Sequence, residues 1–234
     1  LTDNGPASFR YNSGMRGYKG TVYEGGIRVP FYIRWPRRLK AGTVVEPIAA
    51  HIDVLPTLVQ AAGLPLPDGL EIDGRSLLPL MEGKRGVDWP DRALFFQWHR
   101  GDVPELGRAF AVRTDRYKLV SPEPIAKPDQ PKPPLPKPAL YDLKTDPYEN
   151  DDVASRHPEI ASKLYDAYRA WYESVKASRG FAPPRIRIGT EHENPTVLTR
   201  QDWRGPQATW GPDGLGFWLI EAPQSGTYDI AIRF

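Results

Sequence analysis

Prolines and glycines limit the fold of this chain more than any other sequence feature. They number 26 and 21 among its 234 residues, and they interrupt most stretches of the sequence. Proline removes a backbone hydrogen-bond donor and glycine weakens both helices and strands, so long regular elements are excluded where these residues are frequent. We therefore expect short elements joined by many turns, around a core that 40% apolar residues can supply.

The longest stretch without proline or glycine lies between Pro158 and Gly180. Its apolar residues recur at helical spacing and predict one long amphipathic helix that Gly180 ends. These residues are Ile160, Leu164, Tyr168, Trp171 and Val175. A shorter helix is predicted over 51–63, with Asp53 as a candidate N-cap and Gly63 as its stop, and a brief helical turn is predicted over 74–83.

Strands are predicted where aromatic and β-branched residues are frequent. The runs are 29–35, 93–98, 109–114, 116–121 and 139–143. The third and fourth are close enough to form a hairpin around Asp115, and with the fifth they are expected to form a sheet against the long helix. Residues 122–138, "PEPIAKPDQPKPPLPKP", are predicted to be an exposed polyproline-like loop.

Composition excludes several classes of function for this sequence. Lys and Arg number 31 against 29 Asp and Glu, and this balance argues neither for nor against an anionic partner. No basic block is present, so a nucleic-acid partner is not expected. No run of about 18 apolar residues is present, so no membrane span is predicted. The absence of cysteine excludes a disulfide framework, a thiolate zinc site and a cysteine nucleophile within these residues.

The first stretch with candidate chemistry is Asp3-Asn4-Gly5, which follows a strand-like Leu1. A carboxylate and an amide carbonyl lie side by side there, and hard divalent cations bind oxygen ligands of this kind. An ordinary Asn-Gly turn without a ligand explains the same three residues and is the simpler interpretation when they are taken alone.

The residues after this turn resemble a known family. Residues 17–30, "GYKGTVYEGGIRVP", follow the pattern G-x-K-x-x-x-x-E-G-G-x-R-V-P. Together with "TDNG" at 2–5, this strongly resembles the sulfatase family of the alkaline-phosphatase-like superfamily. Four further segments of this sequence resemble sulfatase motifs in the expected order: residues 51–67, 72–83, 113–120 and 139–151. The resemblance covers residues 1–153 and the place of the long helix.

The resemblance implies an α/β, alkaline-phosphatase-like sulfatase fold. Residues 1–90 would be the C-terminal part of the catalytic core, and residues 91–180 a subdomain of small antiparallel sheet and packed helix. The composition changes after residue 184 to short β segments between turns, so residues 181–234 are expected to be a partial all-β segment, an accessory domain. Both ends of the sequence have the pattern of interrupted elements, and we expect this to be the C-terminal portion of a sulfatase.

Sulfatases hydrolyse sulfate esters with a formylglycine nucleophile, made from the Cys or Ser of a C/S-x-P-x-R motif, and a divalent metal. The resemblance implies that Asp3 and Asn4 are ligands of Ca²⁺ (or Mg²⁺) and that Lys19 contacts the sulfate as a catalytic and substrate-binding residue. No C/S-x-P-x-R motif is present, so the formylglycine is expected upstream and this chain alone is expected to be inactive.

Other polar residues have two interpretations each. Glu24 and Arg28 are candidates for catalysis, although bracing of the Gly25-Gly26 turn is favoured. Arg10 is a candidate anion contact or a surface residue. His51 titrates near neutrality, but a role in helix entry is favoured.

His99 and Arg100, after Trp98, follow a predicted strand end and are candidate contacts for a sugar or aryl group.

Three alternatives remain open at this point. The substrate is a sulfated carbohydrate or an aryl sulfate. A related phosphoester or phosphonate monoester hydrolase shares the superfamily. Residues 185–234 are a candidate carbohydrate-binding β module in which Trp203, Trp210 and Trp218 stack on sugars, although a core role for these tryptophans is favoured. Family habit implies an extracytoplasmic (periplasmic or secreted) location, because polymeric sulfated substrates lie outside cells.

Overall fold

The computed structural model describes residues 1–8, 11–99, 103–122 and 133–232, without the side chain of Arg179. Four antiparallel strands form its main sheet, and neighbours in the sheet are also neighbours in sequence. The strands are β1 (Leu94–Gln97), β2 (Phe110–Arg113), β3 (Tyr117–Ser121) and β4 (Ala139–Asp142). Each lies inside a predicted strand, and β2 and β3 form the predicted hairpin.

One face of this sheet packs on the long helix α4 (Pro158–Arg179), as predicted. Val112 lies opposite Leu119, and Leu119 lies opposite Leu140, so three apolar side chains form a row across the sheet. The ring of Phe110 stacks on that of Tyr168 with centroids 3.9 Å apart. Both residues are fully buried, and their contact lies at the centre of the core.

The apolar stripe of α4 differs from the prediction at its C-terminal end. Tyr172 is buried one turn after Tyr168, and its hydroxyl donates a hydrogen bond to the Pro104 carbonyl at 2.7 Å. Val175, which was predicted to continue the stripe, is 39% exposed. The spacing of four residues keeps Tyr172 on the face that Tyr168 occupies, and Gly180 ends the helix with a positive φ of 68°.

The opposite face of the sheet is also covered. Ala111, Val120 and Tyr141 form a second apolar cluster with Val22, which precedes the short helix α1 (Glu24–Ile27). The strands are therefore buried on both faces, and a polar side chain on this second face needs a partner within the protein.

Residues 1–90 contain little regular structure. After α1 they form a 3-10 turn (His51–Asp53) and two helices, α2 (Val54–Ala61) and α3 (Leu78–Met81). These elements confirm the helix predicted within 51–63 and the helical turn predicted within 74–83. Gly63 follows α2 with φ 70°, as expected for a helix stop.

The strand predicted at 29–35 is wrong. This segment has no regular secondary structure and pairs with no strand among the described residues. Pro30 and Pro36 have no N–H to donate, and Tyr32 and Ile33 are exposed. Aromatic and β-branched composition favours extended backbone, but a strand forms only where a neighbour accepts its hydrogen bonds.

Asp53 occupies the predicted N-cap position of α2, but the expected side-chain cap is wrong. Its carboxylate makes no cap bond to that helix. It accepts hydrogen bonds from the backbone amides of Ala50 and Arg75, each at 2.8 Å. Arg92 donates two further bonds at 2.9 and 2.6 Å, so Asp53 is one half of a buried bidentate ion pair that joins α2 to the start of β1.

Residues 181–232 contain one parallel pair of two-residue strands, β5 (Ile186–Arg187) and β6 (Ile220–Glu221). Trp203 and Trp218 contact each other edge to face with centroids 5.9 Å apart, whereas Trp210 is exposed. Two tryptophans therefore pack internally. The β-rich accessory domain, the proposed domain boundaries and the carbohydrate-binding module stay predictions.

The polyproline-like loop at 122–138 lies largely outside the described residues; residues 133–138 carry no helix or strand. Within the described ranges, none of the helices combines the length and the apolar composition that a membrane crossing requires.

Candidate active site

Backbone contacts hold the Asp3-Asn4-Gly5 turn against the Gly25-Gly26 segment of α1. The Gly5 amide donates to the Gly26 carbonyl at 2.9 Å, and the Lys19 amide donates to the Pro6 carbonyl at 2.9 Å. A Cβ at Gly5 would lie 1.9 Å from the Gly25 carbonyl oxygen, so only glycine permits this approach. The two quoted sequence motifs thus form one local structure.

This structure brings together the side chains of Asp3, Asn4 and Lys19. The Lys19 ammonium lies 3.7 Å from the Asp3 carboxylate, and the Asn4 amide donates to the same carboxylate at 2.7 Å. The Lys19 and Asp3 side chains are 52% and 77% exposed, so both remain accessible to a ligand. Their joint position was predicted through the family resemblance, and their roles stay predictions.

The pKa of Asp3 lies below its ordinary value. Slight desolvation raises the pKa, but the positive charge of Lys19 and hydrogen bonds from backbone amides and from Asn4 lower it more. The carboxylate is therefore ionised at neutral pH, which is the state that binds a cation or orients an ammonium.

The three side chains line an open concavity of about 900 Å³. Arg28 also lines this concavity. It is exposed and forms no ion pair with any described residue. Three tyrosines, Tyr11, Tyr32 and Tyr148, also line the concavity. A lysine and an arginine beside exposed aromatic rings can bind a ligand whose anionic group is attached to an apolar or partly polar molecule.

The oxygen atoms of Asp3 and Asn4 are of the type that hard cations bind, but these two residues supply too few ligands for a complete site. They offer one carboxylate and one amide carbonyl, whereas calcium takes 6–8 oxygen ligands. The described residues contain no cluster of three or more His, Cys, Asp or Glu that could hold a metal ion. These two residues therefore fit part of a calcium site and do not by themselves make a complete one.

The other candidate residues have different positions. His99 is exposed and does not line the concavity, although the preceding Trp98 ring packs near Gly20, next to Lys19. Arg100 and Arg10 lie outside the described residues. His51 begins the 3-10 turn, as predicted for helix entry, and its Nε2 lies 2.7 Å from the Thr2 carbonyl oxygen.

A buried ion cluster lies behind the site, and sequence reasoning missed it. The Lys118 ammonium on β3 lies 2.8 Å from the Glu149 carboxylate and 3.1 Å from that of Glu24. Glu149 also accepts a hydrogen bond from the Glu24 amide at 2.7 Å. All three residues are at most 4% exposed. Burial raises the pKa of Glu149, and the adjacent Lys118 charge opposes this only in part.

This cluster corrects the interpretation of Glu24 and Arg28 as joint braces of the Gly25-Gly26 turn. Glu24 has a structural role, as favoured, but its partner is Lys118, with Arg113 at 3.6 Å. Arg28 lines the concavity instead. The available signal was Lys118 itself, because a lysine within the apolar run "YKLV" requires an acidic partner if both faces of the strand are buried.

Arg16 joins the cluster to the second face of the sheet. Its guanidinium donates to the Glu149 carbonyl at 2.8 Å and to the Tyr141 hydroxyl at 3.2 Å, and it lies 4.1 Å from the centroid of the Tyr23 ring. Burial raises the pKa of Tyr141 to about 12, so this phenol stays neutral. The site segment is thus attached to the sheet by hydrogen bonds as well as by charge.

Comparison with known proteins gives three kinds of match. The profile of the family N-sulphoglucosamine sulphohydrolase, C-terminal, matches residues 17–170. Arylsulfatase A of Homo sapiens is 36% identical in an alignment of 209 residues, which covers 81% of this chain and 40% of that protein. N-acetylglucosamine-6-O-sulfatase of Bacteroides thetaiotaomicron is 28% identical over 188 residues, which are 80% of this chain and 30% of that protein.

Among solved structures, Ps i-CgsB in complex with k-i-k-neocarrahexaose has a similar fold. Its TM-score is 0.58 at 21% sequence identity, and the match covers 77% of this chain and 37% of that one. The chain spans about two fifths or less of the length of these relatives.

Proposed function

Because this chain belongs to the sulfatase family, we propose that it is the C-terminal portion of an enzyme that hydrolyses sulfate esters. The observation that supports this most directly is the convergence of Asp3, Asn4 and Lys19 in one concavity, with the Lys19 ammonium 3.7 Å from the Asp3 carboxylate. A cation-binding pair beside an exposed ammonium is suited to an anionic ester.

In this proposal Lys19 binds the sulfate and offsets the negative charge that develops as the ester bond breaks. A compact ammonium on a flexible side chain can follow that charge between oxygens. Asp3 and Asn4 would hold a calcium or magnesium ion, which when bound supplies Lewis-acid neutralisation of the sulfate charge. The ionised state of Asp3 at neutral pH supports its part in this role.

The nucleophile is proposed to be a formylglycine outside these residues, since the sequence contains neither cysteine nor a Ser-x-Pro-x-Arg motif. The chain of 234 residues by itself is therefore expected to be inactive. Measurable turnover of 4-nitrophenyl sulfate by this chain alone would contradict that expectation.

The proposed substrate is a sulfated carbohydrate, with an aryl sulfate as the alternative. One relative is an N-acetylglucosamine-6-O-sulfatase by name, and a structure of similar fold was solved with a neocarrahexaose. The concavity of about 900 Å³ is open and has room for a sugar chain. An extracytoplasmic location is proposed on the same basis, because such polymers lie outside cells.

The proposal is tested with the complete product of the gene that encodes this chain. Turnover of 4-nitrophenyl sulfate is compared with that of 4-nitrophenyl phosphate and a phosphonate monoester at equal concentration. We expect the sulfate ester to be preferred by at least about tenfold in kcat/KM, a margin of about 1.4 kcal/mol. A preference for phosphate or phosphonate would favour the related phosphoester hydrolase instead.

A further inference from the structure

A tyrosine from the C-terminal half of the described chain reaches the candidate active site. Tyr148 lies in the segment between β4 and α4, more than 120 positions after Asp3 and Lys19 in sequence. With Pro147 it lines the same concavity as those two residues. Tyr148 is 47% exposed, so part of the residue packs against protein while the rest remains open to a ligand.

The backbone that carries Tyr148 is fixed by the residue that follows it. Glu149 is fully buried, and its carboxylate contacts Lys118 at 2.8 Å and the Glu24 amide at 2.7 Å. Its own carbonyl accepts a hydrogen bond from Arg16 at 2.8 Å. Glu149 has a φ of 60°, a conformation that residues other than glycine keep only where the surroundings determine it.

The ring of Tyr148 also has a defined contact. Gly14 has a φ of 76°, and a Cβ at this position would lie 3.3 Å from the Tyr148 ring. The ring therefore lies close to the Gly14 backbone. The other tyrosines of the concavity differ, because Tyr11 and Tyr32 are 91% and 86% exposed and pack on little of the described structure.

A fixed, half-exposed aromatic ring is suited to ligand binding because little conformational entropy is lost when the ligand binds. Its apolar faces can pack on the C–H face of a sugar ring, and its hydroxyl can exchange hydrogen bonds with sugar hydroxyls. A sulfate held at Lys19 would place the rest of the ester inside the same concavity.

We infer that Tyr148 is a substrate-binding residue that packs on the sugar ring whose sulfate is bound by Lys19. Glu149, which is buried in the ion cluster with Lys118 and Glu24, holds the backbone that carries Tyr148. This inference rests on the proposed function for the identity of the substrate, but its geometry depends only on the shared concavity and the anchored backbone.

The test measures binding of N-acetylglucosamine 6-sulfate to the complete gene product by titration calorimetry and saturation-transfer NMR. The variants are Tyr148→Ala and Tyr148→Phe. Val175→Ala is the control, because Val175 is an exposed apolar residue on α4 that does not line the concavity. We expect Tyr148→Ala to weaken binding by about tenfold, and Tyr148→Phe to stay within about threefold of the wild type. Val175→Ala should bind normally.

The melting temperature of Tyr148→Ala should stay close to that of the wild type, which separates lost contact from unfolding. Unchanged affinity in Tyr148→Ala, an equal loss in Val175→Ala, or no binding by the folded wild type would each overturn the inference. Turnover of 4-nitrophenyl sulfate is measured in parallel. Sugar-sulfate binding that depends on Tyr148 without turnover of any sulfate ester would reject the proposed function and retain the site.

Discussion

Lys19 is the residue whose position best connects sequence and chemistry. Its backbone is held to the Asp3-Asn4-Gly5 turn by the bond to Pro6, while its side chain remains 52% exposed beside Asp3. Such a lysine contributes little to stability, because exposed ion pairs are worth little. Its value in the proposed function is electrostatic and depends on a bound anion.

Replacement of Lys19 by alanine should therefore reduce activity without reducing stability. In the complete gene product we expect Lys19→Ala to lower kcat/KM for a sulfate ester by about 10²–10³, the usual cost of losing one preorganised charge-stabilising group. Lys144→Ala is the matched control, since Lys144 is an equally exposed lysine paired with Asp115. A loss below about threefold in Lys19→Ala would remove Lys19 from the catalytic residues.

At the scale of elements, a buried ion cluster connects β3, the segment around α1 and the segment after β4. Lys118, Glu24 and Glu149 come from these three places and meet in a buried cluster. A buried ion pair gains little overall, but removal of one partner leaves an uncompensated charge. The cluster therefore specifies how the elements dock.

Lys118→Met should destabilise the protein strongly, because two carboxylates would then face each other in the core. We expect a loss of about 3–5 kcal/mol in the free energy of unfolding, measured by urea denaturation. Lys176→Met is the control, since Lys176 is exposed and pairs with Glu173 on the surface of α4. A Lys118→Met protein as stable as the wild type would show that the cluster does not hold these elements together.

The end of β4 offers a test by pH. Hydrogen bonds from Arg116 lower the pKa of Asp142 in the folded protein, with a smaller opposing effect of desolvation. A lowered pKa stabilises the fold above the unfolded value, near 3.8, and this contribution disappears as the pH falls through the folded value.

Arg116→Met should consequently be less stable than the wild type at pH 7, and the difference should shrink as the pH is lowered below about 4. Urea denaturation of both proteins at a series of pH values measures this. A difference that is constant with pH would indicate that Arg116 acts through packing on Tyr117 alone, over which its guanidinium lies at 4.9 Å.

At the scale of the whole molecule, the site combines distant parts of the chain. Asp3 and Lys19 come from its first twenty residues, whereas Tyr148 comes from the segment before α4. Exposed apolar side chains are also frequent in residues 1–90, among them Tyr32, Leu55 and Leu58. The described residues therefore provide a concavity that is lined from both parts of the chain.

The isolated chain should bind calcium poorly. Two oxygen donors from Asp3 and Asn4 are far fewer than the 6–8 that calcium takes, so we expect the isolated chain to bind it more weakly than micromolar. Titration calorimetry of the chain with calcium chloride measures this, with Asp3→Ala as the control. A micromolar affinity that Asp3→Ala abolishes would show that this chain holds a complete calcium site.

The joint position of Asp3 and Lys19 was predicted only through the family resemblance. Local sequence patterns were sufficient for the hairpin, the four strands of the sheet and the long helix. Each depends on residue spacing, turn residues or a short motif, which act over a few positions. Lys118, Glu149, Asp53 and the segment 29–35 could not be interpreted this way. Their burial and their partners depend on residues that are distant in sequence. The Glu24 amide and Glu149, for example, are hydrogen-bonded although they are 125 positions apart. Only the folded arrangement shows whether a charge is buried, and burial then determines the partner it must have.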